Sequence, residues 1–438
     1  MASKPFGRTA LWPVTTLISL ASASIASPAM AGGFYLQEQS PEGTGRAFAG
    51  EAAAADSAAT IYFNPAGMTE LDGTQIVVGV HLLDIDARQD NRGSTRSIPG
   101  GTTVPTGGGD GGNPFYDVAA VPVGYLSHRL SERLWLGLGI NAPFGLVVDY
   151  EDDFFARYDS RRSELRTYNA QPSVAYRVDD RLSVGFGLSI QYVEAELTNA
   201  LPQPDPAAGD GFSRVAGDDV SLGWNAGLAY EVGGTRLGVH FRSGIDHEIR
   251  GDFTIEDLAG PLAAANGERD ARAQLRLPSV ASIGIRQAIG PDLRLLAGAS
   301  WYNWSVFETI DATDGGDLLL SSEQGYRDTF DISVGGEYDV SEALTLRAGF
   351  KWDETPTGDR LRTTRVPDGD RYWATAGLTW RTGRFAFAAS YAHIFVDAST
   401  IAREERFYEG TPAQVVTTTN ALTRGNVDQI ALSIGVTL

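Results

Sequence analysis

Cysteine is absent from the 438 residues. That excludes disulfides, thiolate metal sites and cysteine nucleophiles. Lysine is nearly absent as well: Lys351 is the only one after Lys4. The formal net charge is −20, which argues against nucleic acid as a partner. Beyond the N-terminus no stretch reaches the roughly 18–20 apolar residues of a transmembrane helix. Hydrolase signatures are missing too. G-x-S-x-G and H-E-x-x-H do not occur, and "HEIRG" at 247–251 lacks a second zinc ligand. "GLGINA" runs into Pro143, where a dinucleotide fingerprint needs a helix. His81, His128, His240, His247 and His393 are scattered. No catalytic residue, metal site or cofactor is expected, although Ser and His assembled across strands would escape such a scan. Solvated acidic loops are the ordinary reading of the Asp- and Glu-rich linkers, with divalent cations shared with lipopolysaccharide the other.

The N-terminus has the parts of a secretory signal. Lys4 and Arg8 precede an apolar run from Leu11 to Ala26, and Ala29-Met30-Ala31 is a cleavage signature. Cleavage before Gly32 removes residues 1–31 and takes the net charge from −20 to −22. An exported chain without spanning helices can still cross a membrane as a closed barrel.

From residue 74 onward the sequence alternates with period two. Val220, Leu222, Trp224, Ala226, Leu228, Tyr230 and Val232 share one face, against Ser221, Gly223, Asn225, Gly227, Ala229 and Glu231. A soluble sandwich alternates in the same way, so the connections decide. "DD", "GGT", "GPD" and "SEA" are short, whereas 88–114 and 200–218 are long and rich in Gly, Pro and Asp. Short turns at one end and long loops at the other are the outer-membrane pattern. We count fourteen strands, near 74–86, 116–127, 133–143, 164–178, 181–197, 219–232, 236–250, 271–287, 293–309, 325–339, 344–355, 371–382, 384–397 and 425–437. Trp301, Tyr302, Trp304, Tyr372, Trp373, Trp380 and Tyr391 lie toward strand ends and suggest interfacial girdles, with core packing as the other reading. A lumen this wide needs a plug or conducts water. Residues 32–73, too apolar for a disordered tail and lacking alternation, are the available plug.

Several stretches, in order, carry a resemblance: "GFYLQEQSPEGTGRAFAGEAAAADSAATIYFNPAGMTEL", "NAPFGL", "GWNAGLAYEV", "LPSVASIGI" with "WYNWSVFETI", and "VPDGDRYWATAGLTW". Together the chain resembles the FadL/TodX-type transporters of the bacterial outer membrane. The resemblance implies an all-β, 14-stranded antiparallel barrel over 74–438, a hatch over 32–73, and passive uptake of hydrophobic molecules. One departure is the last residue, Leu438, where such barrels usually end in an aromatic. An outer-membrane barrel further implies a monomer, with membrane lipid, lipopolysaccharide and the barrel assembly machinery as partners.

Three groups of candidate site residues follow. Asn64-Pro65-Ala66-Gly67 is a turn inside an apolar stretch. Asn64 can bond nearby backbone, and Pro65 fixes φ and removes a donor. The resemblance places this turn near a wall opening, as a gate; a rigid structural turn is the alternative. Pro143-Phe144-Gly145 ends the third strand, and proline cannot donate to a ladder. The resemblance implies a kink there and lateral exit into the membrane; a strand simply ending is the alternative. For substrate we single out Phe34, Leu146, Phe154 and Phe155, the last three in a greasy loop that suggests a surface capture groove. Lys351 and Arg347 face the lumen by alternation and are candidates for a fatty-acid carboxylate, with lumen acids such as Asp353 as competing partners. Long-chain fatty acids are the expected substrate. Aromatic or alkane hydrocarbons, or a general porin or structural role, are the alternatives.

Overall fold

The computed structural model describes residues 32–98, 101–115 and 118–438. The expected signal segment, 1–31, lies outside the described residues, as does the start of the expected second strand at 116–117. The alternating stretches form fourteen barrel strands among the described residues. They are β1 (Thr74–Asn91), β2 (Ala119–Arg129), β3 (Leu134–Asn141, resumed at Gly145–Asp149), β4 (Arg162–Arg177), β5 (Leu182–Leu201) and β6 (Gly211–Val232). β7 (Thr235–Arg242, Ile245–Glu256), β8 (Gly267–Leu277, Val280–Ile289), β9 (Leu293–Tyr302, Thr309–Asp314) and β10 (Asp317–Glu323, Thr329–Ser341) are each interrupted once. β11 (Leu344–Asp353), β12 (Arg371–Thr382), β13 (Phe385–Phe407) and β14 (Val415–Thr437) complete the ring. Neighbours pair antiparallel, and β1 pairs β14 from Gln75↔Thr437 to Asn91↔Ala421. Closure leaves no unpaired sheet edge, which a lipid environment would penalise by several kcal/mol per orphaned group.

The faces are inverted relative to a soluble protein. Leu222 is 73% exposed and Val220 60%, while Asn225 is fully buried. The same holds for Ile430, Leu432 and Ile434 against buried Gln429, Ala431 and Ser433. An apolar outside and a polar inside place the wall in a bilayer. Turns of two to four residues close one end; Gly233 and Gly234 connect β6 to β7 at φ +58° and +83°, a conformation that costs glycine little. The barrel's ends meet at that side, where the Leu438 amide donates to the Thr74 carbonyl at 2.9 Å. Alternation assigns too many aromatics to the girdle, however. Trp304 and Trp373 are completely buried and Tyr302 nearly so, facing inward. Trp380 and Tyr391 are exposed, as a girdle requires.

Residues 32–73 touch all fourteen strands from within. Bonds run from this segment to His81 of β1, Tyr125 of β2, Gln171 of β4 and Ser183 of β5. Others reach Leu228 of β6, Arg242 of β7, Asp331 of β10 and Ser390 of β13. Its short helices Pro41–Thr44, Glu51–Ala54 and Thr60–Phe63 are too brief to be stable alone. They persist because wall glycines let backbone approach backbone. A Cβ at Gly238 would lie 1.8 Å from the Ala52 carbonyl oxygen, and one at Gly349 2.2 Å from that of Arg46. We expect Gly238→Val to leave a folded, heat-modifiable barrel while displacing the N-terminal segment. Limited proteolysis of residues 40–60 should then run roughly tenfold faster than in wild type.

Candidate functional site

β3 breaks at Ala142-Pro143-Phe144, and the ladder between β2 and β3 stops at Gly124↔Ile140. Proline has no amide hydrogen to continue it. The N-terminal segment supplies the missing partners. The Leu36 amide donates to the Pro143 carbonyl at 2.8 Å, and the Gly145 amide donates to the Phe34 carbonyl at 3.0 Å. Gln39 Nε2 donates to the Ala142 carbonyl at 2.8 Å. On the other side the Phe144 amide donates to Thr167 Oγ1 of β4 at 2.9 Å. The break is thus closed by the protein's own N-terminus.

The turn at Asn64–Gly67 sits elsewhere, and the expectation that it borders this opening is corrected. Asn64 Nδ2 donates to the carbonyls of Ala52 (2.6 Å) and Leu228 of β6 (3.1 Å), while its Oδ1 accepts from the Ala66 amide at 3.0 Å. Pro65 and Ala66 press on Gly185 of β5, and a Cβ at Gly67 would collide with Thr60 Oγ1. Backbone groups on both sides bind Asn64, so the residue locks the turn to the wall. Residues 34–39, not 64–67, meet the kink.

Above the break lies an apolar cavity walled by Phe34, Leu146, Leu197, Ile249, Leu275, Phe307 and Val366. The Phe34 ring stands 6.1 Å from Phe144, 4.8 Å from Trp304 and 5.3 Å from Phe307, tilted or edge-on to each. It separates the cavity from the kink. Arg365 enters the cavity wall from the loop between β11 and β12. Its Nη1 donates to Ser163 Oγ (3.0 Å) and to the Thr198 carbonyl (3.4 Å). Among the described residues no carboxylate comes within ion-pair distance of it. Burial pulls its pKa down; Asp159 and Glu405, acting from beyond ion-pair distance, offset part of that and Arg403 adds to it. Sequence reading missed Arg365, since a loop residue has no periodicity to give it a direction.

The two cations chosen by alternation are in the lumen but already bonded. Lys351 Nζ lies 3.0 Å from Asp331 Oδ2, also bonds Gln37 Oε1, and stands 5.4 Å from the Trp373 ring centre. Arg347 Nε donates to Glu337 Oε1 at 2.8 Å and Nη1 to Thr379 at 2.6 Å. Asp353 pairs with Arg371 instead. Neither cation lines the apolar cavity. The exposed capture groove is corrected too. Phe154 and Phe155 are fully buried, with Phe154 stacked on Tyr150 at 4.0 Å. Leu146 and Phe34 do line the cavity. Among the described residues no cluster of metal-ligating side chains occurs.

A closed fourteen-stranded ring with an apolar belt, a polar lining and an apolar cavity within it defines an outer-membrane β-barrel. Comparison with known proteins agrees. The family model "Outer membrane protein transport protein (OMPP1/FadL/TodX)" matches residues 22–434. The long-chain fatty acid transport protein of Escherichia coli O6:H1 is 27% identical over 415 residues, covering 86% of this chain and 90% of that one. A solved Pseudomonas aeruginosa FadL homologue superposes with a TM-score of 0.83 at 24% identity, covering 92% and 99%. The Pseudomonas putida toluene transporter TodX superposes at 0.61 with 15% identity, covering 87% and 94%. The chain belongs to the OMPP1/FadL/TodX family, and it is a Gram-negative outer-membrane protein.

Two carboxyls in the segment, Glu38 and Glu51, titrate near neutrality, and Glu38 is the one without a bonded partner. Glu38 is fully buried, and neither of its carboxylate oxygens has a hydrogen-bond partner among the described residues. Burial pushes its pKa up to about 7; Lys351 and Arg371 pull it down and Asp353 pushes it up. A carboxyl with a raised folded pKa binds more protons folded than unfolded. Its stabilising effect is therefore present below the unfolded value of 4.5 and is lost as pH rises through about 7. We expect the melting temperature to fall between pH 5 and pH 8, and Glu38→Gln to flatten that fall.

Proposed function

We propose that the protein is a passive transporter of hydrophobic molecules, with long-chain fatty acids as substrate. The observation that carries this is an apolar cavity with a guanidinium, Arg365, in its wall that has no carboxylate at ion-pair distance among the described residues. An acyl chain of ~16 carbons gains about 0.8 kcal/mol for each CH2 removed from water. A carboxylate supplies Arg365 with a counter-ion at bonding distance, which Asp159 and Glu405 are not, and charge-assisted bonds of that kind are about twice as strong as neutral ones. From the cavity the route runs past Phe34 to the break at Pro143–Gly145, and sideways into the bilayer. Lateral exit spares the substrate the aqueous periplasm. Residues 32–73 act as the plug on this route; their contacts with every strand favour it over an open porin. The family's relatives are named as transport proteins, and no enzymatic step is needed for such passage.

The toluene transporter among the structural neighbours makes hydrocarbon uptake the second reading. Arg365 favours the acid, because its present partners are two neutral oxygens and carboxylates beyond ion-pair distance, and a hydrocarbon adds nothing to them. We expect Arg365→Leu to weaken binding of a long-chain fatty acid tenfold or more, about 1.4 kcal/mol, and to leave a fatty alcohol of equal length unchanged. Fluorescence displacement on the purified barrel measures both. Equal effects on acid and alcohol would contradict the reading.

A further inference from the structure

The wall has a second break, and nothing assigned above uses it. β8 is interrupted at Pro278-Ser279 and β9 from Asn303 to Glu308, side by side. The ladder between them is intact below, up to Val280↔Tyr302. Above, it consists of Arg272↔Thr313 and Ala273↔Ala312 alone. In between, the Asn303 amide donates to the Ser279 carbonyl at 3.0 Å. Pro278, like Pro143, is a residue that cannot donate to a ladder. The turn Trp304–Val306 bows β9 away from β8 there.

Both faces of the wall are hollow at this break. Inside is the apolar cavity; outside is a groove walled by Arg276, Val306, Glu308 and Thr309. Ala273, Gln274 and Phe307 line both, so only their side chains separate groove from cavity. Its height on the barrel is set by its neighbours. Just below, Ile283 and Phe330 are exposed members of the lipid-facing belt. Just above, the outward positions are charged: Glu248, Arg250 and Arg272. The break therefore sits where acyl chains meet headgroups. Arg276 points outward, bonded to Gln274 Oε1 at 3.3 Å, with no carboxylate at ion-pair distance among the described residues. Glu308 and Asp311 occupy the far rim and Glu248 is paired with Arg272; Arg276 faces Asp246 across the β7–β8 ladder without an ion pair, and is the cation of the groove left to accept an anion.

We propose that this break is a side port through which a fatty acid already dissolved in the outer leaflet enters the cavity. The deduction rests on the transport reading above and extends it to the source of the substrate. A long-chain acid partitions into lipid by about 0.8 kcal/mol per CH2, so its reservoir is the leaflet and not the water. At the port its carboxylate lies at headgroup level beside Arg276, and its tail passes Phe307 into the cavity. Phe34 then divides the way in from the way out, since its ring contacts both Phe307 and Phe144.

The native chain has no cysteine, so the port can be blocked after folding. In cells expressing Gln274→Cys, a bulky membrane-impermeant maleimide should cut uptake of a labelled long-chain fatty acid at least about fivefold. The same label on Pro412→Cys, in the exposed loop between β13 and β14, should change nothing. Arg276→Glu should raise the apparent KM for the acid about three- to tenfold and leave a fatty alcohol unaffected. Uptake that persists with Gln274→Cys fully labelled overturns the port, as does an Arg276→Glu effect that is equal for acid and alcohol. Absence of uptake in unlabelled cells would instead overturn the transport reading itself.

Discussion

Every backbone polar group at membrane depth must find a partner inside the protein. The architecture follows from that one constraint. A closed ring satisfies it for the strands, and β1 pairing β14 leaves no edge. Prolines violate it locally: Pro122 and Pro172 sit inside β2 and β4, while Pro143 in β3 and Pro278 in β8 coincide with breaks in the strand. At Pro143, the repair comes from Phe34 and Leu36, through two backbone bonds of 3.0 and 2.8 Å. A wall repaired by a separate segment can be opened by moving that segment.

The segment is not held evenly. Its middle is tied by charge: fully buried Arg46 bonds Glu51 (2.9 Å), Asp56 (2.5 Å) and Glu337 of β10 (2.8 Å). Glu337 in turn binds Arg294 and Arg347. Removing one partner of such a buried set costs about 3–5 kcal/mol, so this part stays in place. Asn64 fixes the next turn to β6. Residues 34–39 are held by backbone bonds and ring packing, each worth about 1 kcal/mol, and by the Gln37 side chain, whose bonds to Asp331 and Lys351 are charge-assisted and about twice as strong. Movement at the N-terminal end with the rest anchored is what this distribution allows.

The barrel was legible in the sequence because a strand's direction is binary. Leu222 out and Asn225 in follow from parity alone, and turn lengths give the polarity of the ring. Parity also shows why the aromatic girdle was overcounted: adjacent Tyr372 and Trp373 cannot both face lipid, and Trp373 is the one inside. Lys351 was placed correctly in the lumen, but its partner was not. It stands opposite Ser333, one diagonal step from Asp331, and that register depends on strand pairing no single sequence states. The loops were illegible for the same reason. Phe154 and Phe155 look like an exposed patch until the 104–115 loop covers them, and Arg365 has no pattern at all.

The central claim is that passage from the cavity requires Phe34–Leu36 to leave the β3 break. Tyr35 and Phe144 face each other as an antiparallel bridge. Their Cα atoms are thus about 4.5–5.5 Å apart, within disulfide reach. The most direct measurement is fatty-acid uptake by Tyr35→Cys/Phe144→Cys, oxidised and then reduced in the same cells. The account predicts that uptake is lost on oxidation and restored by reduction. Uptake at equal rates in both states would contradict it.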